Sequence, residues 1–150
     1  MFRLEFMDHL PILMLTEGEW DAMLLWEHCA DLCDIGTIGG AQAKFSFLDL
    51  TLLSQYLAIL VVHDDDNAGG KGREYISELR KMSARIYSVT PPAHDLTEYW
   101  KKGGDLRGWA VEQVFRNLES TLDQMGVAKC ERVEKIMVNI RTELLQISTY

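Results

Sequence analysis

The chain has 150 residues, a formal net charge of -8 and an apolar share of 47%, which fits one globular domain with its own core and excludes a disordered or fibrous chain. No stretch reaches the roughly 20 apolar residues of a membrane-spanning helix, and the N-terminus lacks the apolar core of a secretion signal, so we expect a cytoplasmic protein with no membrane partner. The acidic excess opposes general attraction to nucleic acid through basic residues, although divalent cations held by carboxylates would reverse the local field.

Short apolar runs alternate with amphipathic segments between residues 12 and 89, which is typical of a parallel sheet flanked by helices. We predict strands at residues 12–16, 33–37, 58–62 and 85–89. Helices are predicted at residues 19–31, 47–57 and 71–82 from apolar residues at helical spacing and from turn signals. The predicted fold class is therefore α/β, with a Rossmann-like, mainly parallel sheet of about four strands.

The rest of the chain is helical in character. Helical segments are predicted at residues 94–102, 106–122 and 129–146, because apolar residues recur about every four positions. We assign residues 1–110 to the α/β domain and residues 111–150 to a helical extension packed on the same domain.

Carboxylates follow two of the predicted strands. Glu17 comes directly after the first strand, and Asp64 and Asp66 come after the third. In an open parallel sheet the site forms beyond the carboxyl ends of the strands, so these side chains should share one edge. Asp21, one helical turn after Glu17, faces the same region. Clustered carboxylates repel one another unless cations bind them, and hard oxygen ligands suit Mg²⁺ or Mn²⁺.

Three other known kinds of acidic site match this loop less well. A calcium-binding EF-hand loop counted from Asp64 would place Ala68 and Tyr75 where oxygen donors are required, so that pattern fails. A haloacid-dehalogenase enzyme carries its Asp-x-Asp on the first strand, and a response-regulator receiver places its acidic pair there too, whereas here the pair follows the third strand. A simple solvated turn that caps the next helix stays open as an alternative.

Two segments resemble the motifs of the Toprim family of primases, topoisomerases and nucleases. LMLTEGEWDA, residues 13–22, resembles the first motif, in which an apolar strand ends in Glu-Gly and Asp-Ala follows. ILVVHDDDNAGGKG, residues 59–72, resembles the second, in which a strand precedes Asp-x-Asp-x-x-Gly. The resemblance covers about residues 10–110 and implies a Toprim domain.

The Toprim domains of bacterial primases and bacteriophage primase-helicases are the most similar in motif. They carry a glycine-rich turn with a lysine between the two motifs, as in IGGAQAK, residues 38–44. After the fourth strand they show Lys-Asp-x-Asn or Glu-Asp-x-Asp, where this chain reads His94-Asp95-Leu96-Thr97. Asp95 matches the acid, but His94 and Thr97 depart from the pattern, and Thr97 is not expected to bind metal.

The resemblance implies a role for each matching residue. Glu17 would act as general acid or base and would also bind the metal. Asp64 and Asp66 would hold Mg²⁺ or Mn²⁺, with Asp21 and Asp95 as further candidate ligands. Lys44 would be a second catalytic residue and would reach a phosphate from the glycine turn. Further candidates for binding phosphate or nucleic acid are Gly39, Gly40, Lys71 and Arg73.

The implied function is metal-dependent nucleotidyl transfer in a DNA primase component or a primase-like protein. Its partners would be DNA or RNA, nucleoside triphosphates and a primase or helicase protein. Two alternatives stay open: a small Toprim nuclease that cleaves phosphodiesters, and a noncatalytic module that binds nucleic acid or a partner.

Overall fold

The computed structural model describes residues 10–40, 43–83, 85–125, 135, 137–142 and 145. A parallel sheet lies at its centre. The four strands stand in the order β2-β1-β3-β4, and every neighbouring pair is parallel. Their bounds are β1 Ile12–Thr16, β2 Asp34–Thr37, β3 Ala58–Val62 and β4 Ile86–Val89.

Helices connect and flank these strands. They are α1 Glu19–Cys29, α2 Phe47–Leu53, α3 Asn67–Met82, α4 Leu96–Lys101 and α5 Leu106–Met125. Residues 135, 137–142 and 145 are also helical, but most of the predicted helix at 129–146 lies outside the described residues. The expected α/β class is confirmed, and the arrangement is that of a Rossmann-like, Toprim-like sheet flanked by helices.

Each face of the sheet has its own core. Alternate residues of β1 illustrate this, since Ile12 and Met14 belong to one apolar cluster and Leu13 and Leu15 to the other. The first cluster receives side chains from α1, α4 and α5, and the second from α2 and α3. Burial on both faces explains why β1 and β3 are continuous apolar runs rather than alternating ones.

Among the starts of the helices, that of α3 differs most from its prediction. The sequence predicted a helix from residue 71, but α3 begins at Asn67, one turn earlier. Two adjacent glycines, Gly69 and Gly70, weaken the helical signal there. Asp66 nevertheless starts the helix, because its side chain accepts a hydrogen bond from the Gly69 N–H, 2.7 Å away.

The remaining predicted elements differ from the structure mainly in length. The helices predicted at 19–31 and 47–57 end sooner, at Cys29 and Leu53, and the helix predicted at 106–122 runs on to Met125. The predicted domain division at residue 110 falls inside α5 and stays a prediction. In the described part of the chain, no helix is both long and apolar enough to cross a membrane.

Candidate functional site

The candidate site lies at the topological switch point of the sheet, where the order of strand addition reverses. From β1 the chain adds β2 on one side, and the later strands β3 and β4 lie on the other. Loops leaving β1 and β3 therefore separate at their carboxyl ends, which is where open α/β sheets place their ligands. Glu17 is the first residue after β1, and Asp64 is the second after β3. The topology thus brings the two predicted acidic positions to one crevice.

Glu17 and Asp64 are in direct contact. The Asp64 N–H donates to the Glu17 carboxylate, with 3.3 Å between N and Oε2. The backbone of Glu17 is held from β2, because the Thr37 hydroxyl donates to the Glu17 carbonyl oxygen at 3.1 Å. Thr16 fixes the same turn by donating to the Gly18 carbonyl oxygen at 2.8 Å. Hydroxyls at the ends of two strands therefore hold the backbone of the turn that carries Glu17.

The carboxyl of Asp64 has an unusual environment. Partial burial raises its pKa to about 6, and the nearby negative charges of Glu17, Asp21 and Asp95 add to that rise, while the charge of His94 opposes it. Repulsion of this kind is what a cation would relieve.

The loop around Asp64 is packed closely against α3. The Arg73 guanidinium donates to the Asp64 carbonyl oxygen at 2.7 Å and lies 3.7 Å from the Asp65 carboxylate. A Cβ atom at Gly69 would collide with that same carbonyl oxygen. Arg73, predicted to bind phosphate, therefore supports the acidic loop in this structure, and Lys71 is exposed.

Asp66 and Asp95 occupy the N-cap positions of two helices. Asp66 caps α3 as described above, and Asp95 caps α4 by accepting from the Glu98 N–H at 2.5 Å. Each of these bonds uses Oδ1, so the second oxygen of each carboxylate is not taken up by its cap bond. Their predicted metal roles stay predictions.

Asp21 is buried and binds the start of α4. Its Oδ1 accepts from the Thr97 hydroxyl at 2.5 Å and from the Thr97 N–H at 3.1 Å. Its Oδ2 accepts from the Leu96 N–H at 3.4 Å. Sequence reasoning placed Asp21 at the correct edge but missed this partnership, because Thr97 lies 76 positions away along the chain. Both oxygens of Asp21 hold α4, which suits a supporting role better than a metal ligand.

The glycine turn follows β2. Gly39 and Gly40 have φ angles of 83° and 139°, a region that favours glycine. Thr37 Oγ1 accepts from the Gly39 N–H at 3.0 Å. Lys44 is exposed, and among the described residues no hydrogen bond or ion pair joins its amine to the carboxylates. Its predicted contact with phosphate stays a prediction.

His63 lies between β3 and the acidic loop and is 1% exposed. Burial, with a smaller effect from the charge of Arg73, lowers its pKa to about 4. Its Nδ1 has no hydrogen-bond partner among the described residues. The ring is therefore neutral near pH 7, when it adds no positive charge beside Asp64.

The carboxylates of the site suit Mg²⁺ bound by few protein ligands. Within the described ranges, no group of three or more histidine, cysteine, aspartate or glutamate side chains is arranged to hold a metal ion. Mg²⁺ is commonly bound through only one or two carboxylates, with water and substrate phosphates completing its shell. The Glu17–Asp64 pair fits that mode.

Comparison with known proteins gives one informative structural likeness. No protein-family model matches the sequence, and no curated protein matches it. The primase fragment of the bacteriophage T7 primase-helicase protein has a similar fold, with a TM-score of 0.58 and 24% sequence identity over 69% of this chain. The match covers 43% of that fragment, so this chain spans less than half of its length. At this identity the likeness supports the fold alone.

Proposed function

We propose that this chain carries a Toprim-type, magnesium-dependent site for nucleotidyl transfer on nucleic acid, as in a DNA primase component. One observation carries the proposal: the Glu17 carboxylate accepts from the Asp64 N–H where β1 and β3 end side by side, and its charge acts on the Asp64 carboxyl. The primase-like fold and the two sequence motifs support it. The nucleic acid, the nucleoside triphosphates and a primase or helicase partner belong to the same proposal.

The residues divide into those that would hold Mg²⁺ and those that support them. Glu17 and Asp64 would hold the ion, with Asp66 and Asp95 able to contribute a second oxygen each. The bound ion would neutralise phosphate charge and orient the reacting oxygens. Glu17 would also act as general acid or base, and Asp21 would position α4 at the edge of the site.

The test follows a labelled DNA oligonucleotide incubated with nucleoside triphosphates and Mg²⁺. We expect product that grows with Mg²⁺ and disappears in Asp64→Asn and in Glu17→Gln. Asp65→Asn is the matched control, because it removes the same charge from the same loop at an exposed side chain. A shortened oligonucleotide would favour the nuclease, and unchanged lengths would contradict catalysis by this chain on its own.

A further inference from the structure

An open groove of about 720 Å³ adjoins the acidic site, between α1 and α4. Its lining includes the large apolar side chains Trp20, Met23 and Trp100 and the carboxylates Asp21, Asp64 and Asp95. The volume lies within the usual range for small-molecule sites, and a few polar groups beside an apolar wall are typical of them.

The large apolar side chains of the groove are exposed to solvent. Trp20 is 77% exposed, Met23 61% and Trp100 46%. The two tryptophans come from different helices, and α1 carries Trp20 opposite its own core residues Ala22 and Leu25. Single exposed apolar residues are ordinary, but large ones grouped in one groove mark a binding surface.

The charges of the groove favour a ligand that arrives with a divalent cation. Four acidic residues, Asp21, Glu27, Asp64 and Asp95, line it together with the single lysine Lys101. A bare anion would be repelled by this lining. An apolar protein segment would have to cover carboxylates that lose water without gaining partners, which is costly. A nucleotide–Mg²⁺ complex avoids both penalties, because its cation meets the carboxylates and its base is flat and stackable.

We propose that this groove binds a nucleobase, stacked on Trp20 or Trp100, of a nucleotide whose phosphates meet the metal at Glu17 and Asp64. This inference rests on the proposed function and specifies its substrate contact. Aromatic side chains stack on any base, since every base presents a π face. The nucleotide can be a free triphosphate or a unit of a single strand.

The test is calorimetric titration of the full chain in Mg²⁺ with three probes: ATP, a single-stranded DNA decamer and inorganic tripolyphosphate. Trp20→Leu or Trp100→Leu, whichever removes the ring that carries the base, should weaken ATP binding about tenfold, the loss expected when one base no longer stacks on an aromatic ring. Tripolyphosphate binding should not change, because this probe has no base. Trp26→Leu is the matched control, since Trp26 is on α1 and 41% exposed but does not line the groove.

Binding of the single-stranded DNA decamer shows whether the nucleotide is free or part of a strand. If the variant that loses ATP affinity also binds the decamer more weakly, the groove takes a base of a single strand. An effect confined to ATP assigns the groove to the free nucleotide. ATP affinity equal to that of the wild type in all three tryptophan variants would overturn the inference. So would a dimer in sedimentation that Trp20→Leu and Trp100→Leu dissociate, because a second copy would then cover the groove.

A parallel Mg²⁺ titration without nucleotide separates the two proposals. If the chain binds Mg²⁺ but the tryptophan substitutions leave its ATP affinity unchanged, the groove inference is overturned and the metal site is retained. Failure of the wild-type chain to bind Mg²⁺ with or without ATP overturns the proposed function and this inference together.

Discussion

At the scale of single residues, the environment of Asp64 separates two interpretations of the acidic loop. One is a functional carboxylate, and the other is a solvated turn that caps a helix. A solvated cap should have little effect on stability when its charge is removed. Asp64 instead lies in a partly buried position, surrounded by the charges of Glu17, Asp21 and Asp95. Its ionised form is therefore disfavoured in the folded, metal-free chain.

We predict that Asp64→Asn stabilises the metal-free chain at neutral pH. Because the folded pKa of about 6 lies above the ordinary value of 3.8, stability is fully present below that ordinary value and is lost as the pH rises through about 6. Solvent screens this partly exposed group, so the expected gain at pH 7 is about 1 kcal/mol, shrinking towards zero near pH 4. Urea unfolding in EDTA measures it, with Asp65→Asn as control, and an unchanged or lower stability at pH 7 would count against the account.

The two glycines in the first turn of α3, Gly69 and Gly70, have different surroundings. Gly69→Ala should destabilise the chain by about 1 to 3 kcal/mol, because the new methyl group meets the Asp64 carbonyl oxygen. Gly70→Ala is the matched control: its nearest neighbour outside the helix backbone is Arg73 Nη2 at 3.7 Å, so it should be neutral or stabilising by up to about 1 kcal/mol. Thermal unfolding compares them, and equal effects would refute the close packing at Gly69.

At the scale of elements, α4 depends on a side chain from α1. We predict that Asp21→Ala costs about 2 to 3 kcal/mol of unfolding free energy in EDTA, because buried donors at Leu96 and Thr97 lose a charged acceptor. Thr97→Val removes only the hydroxyl and should cost about 1 kcal/mol. Glu19→Ala, also in the first turn of α1 but exposed, serves as control. A metal-free Asp21→Ala chain as stable as the control would contradict the supporting role of Asp21.

The elements also show what sequence patterns predict well. β1 and β3 were predicted with their observed bounds, since buried parallel strands are short continuous apolar runs. The start of α3 was placed one turn late, because local propensity weighs Gly69 and Gly70 against a helix whereas the Asp66 cap and tertiary packing favour one. Contacts between distant positions, such as Asp21 with Thr97 or Asp64 with Arg73, have no local pattern to reveal them.

At the scale of the whole molecule, topology and charge act together. The order β2-β1-β3-β4 places the ends of β1 and β3 side by side, which explains why residues 47 positions apart, Glu17 and Asp64, are in contact. Their convergence followed from the parallel α/β pattern of the sequence. The groove between α1 and α4 did not, because helix packing brings Trp20 and Trp100 together. Because the chain has a net charge of -8, divalent cations bound to its carboxylates are the means by which it would attract phosphate groups.

The most direct test of a metal site between Glu17 and Asp64 is Mn²⁺ binding by calorimetry to the wild-type chain, Glu17→Gln, Asp64→Asn and the control Asp65→Asn. The account predicts that wild type and Asp65→Asn bind alike and that each of the other two binds at least about tenfold more weakly, since removing a ligand costs more than about 1.4 kcal/mol. Equal binding by all four chains, or no binding by wild type at millimolar Mn²⁺, would contradict it.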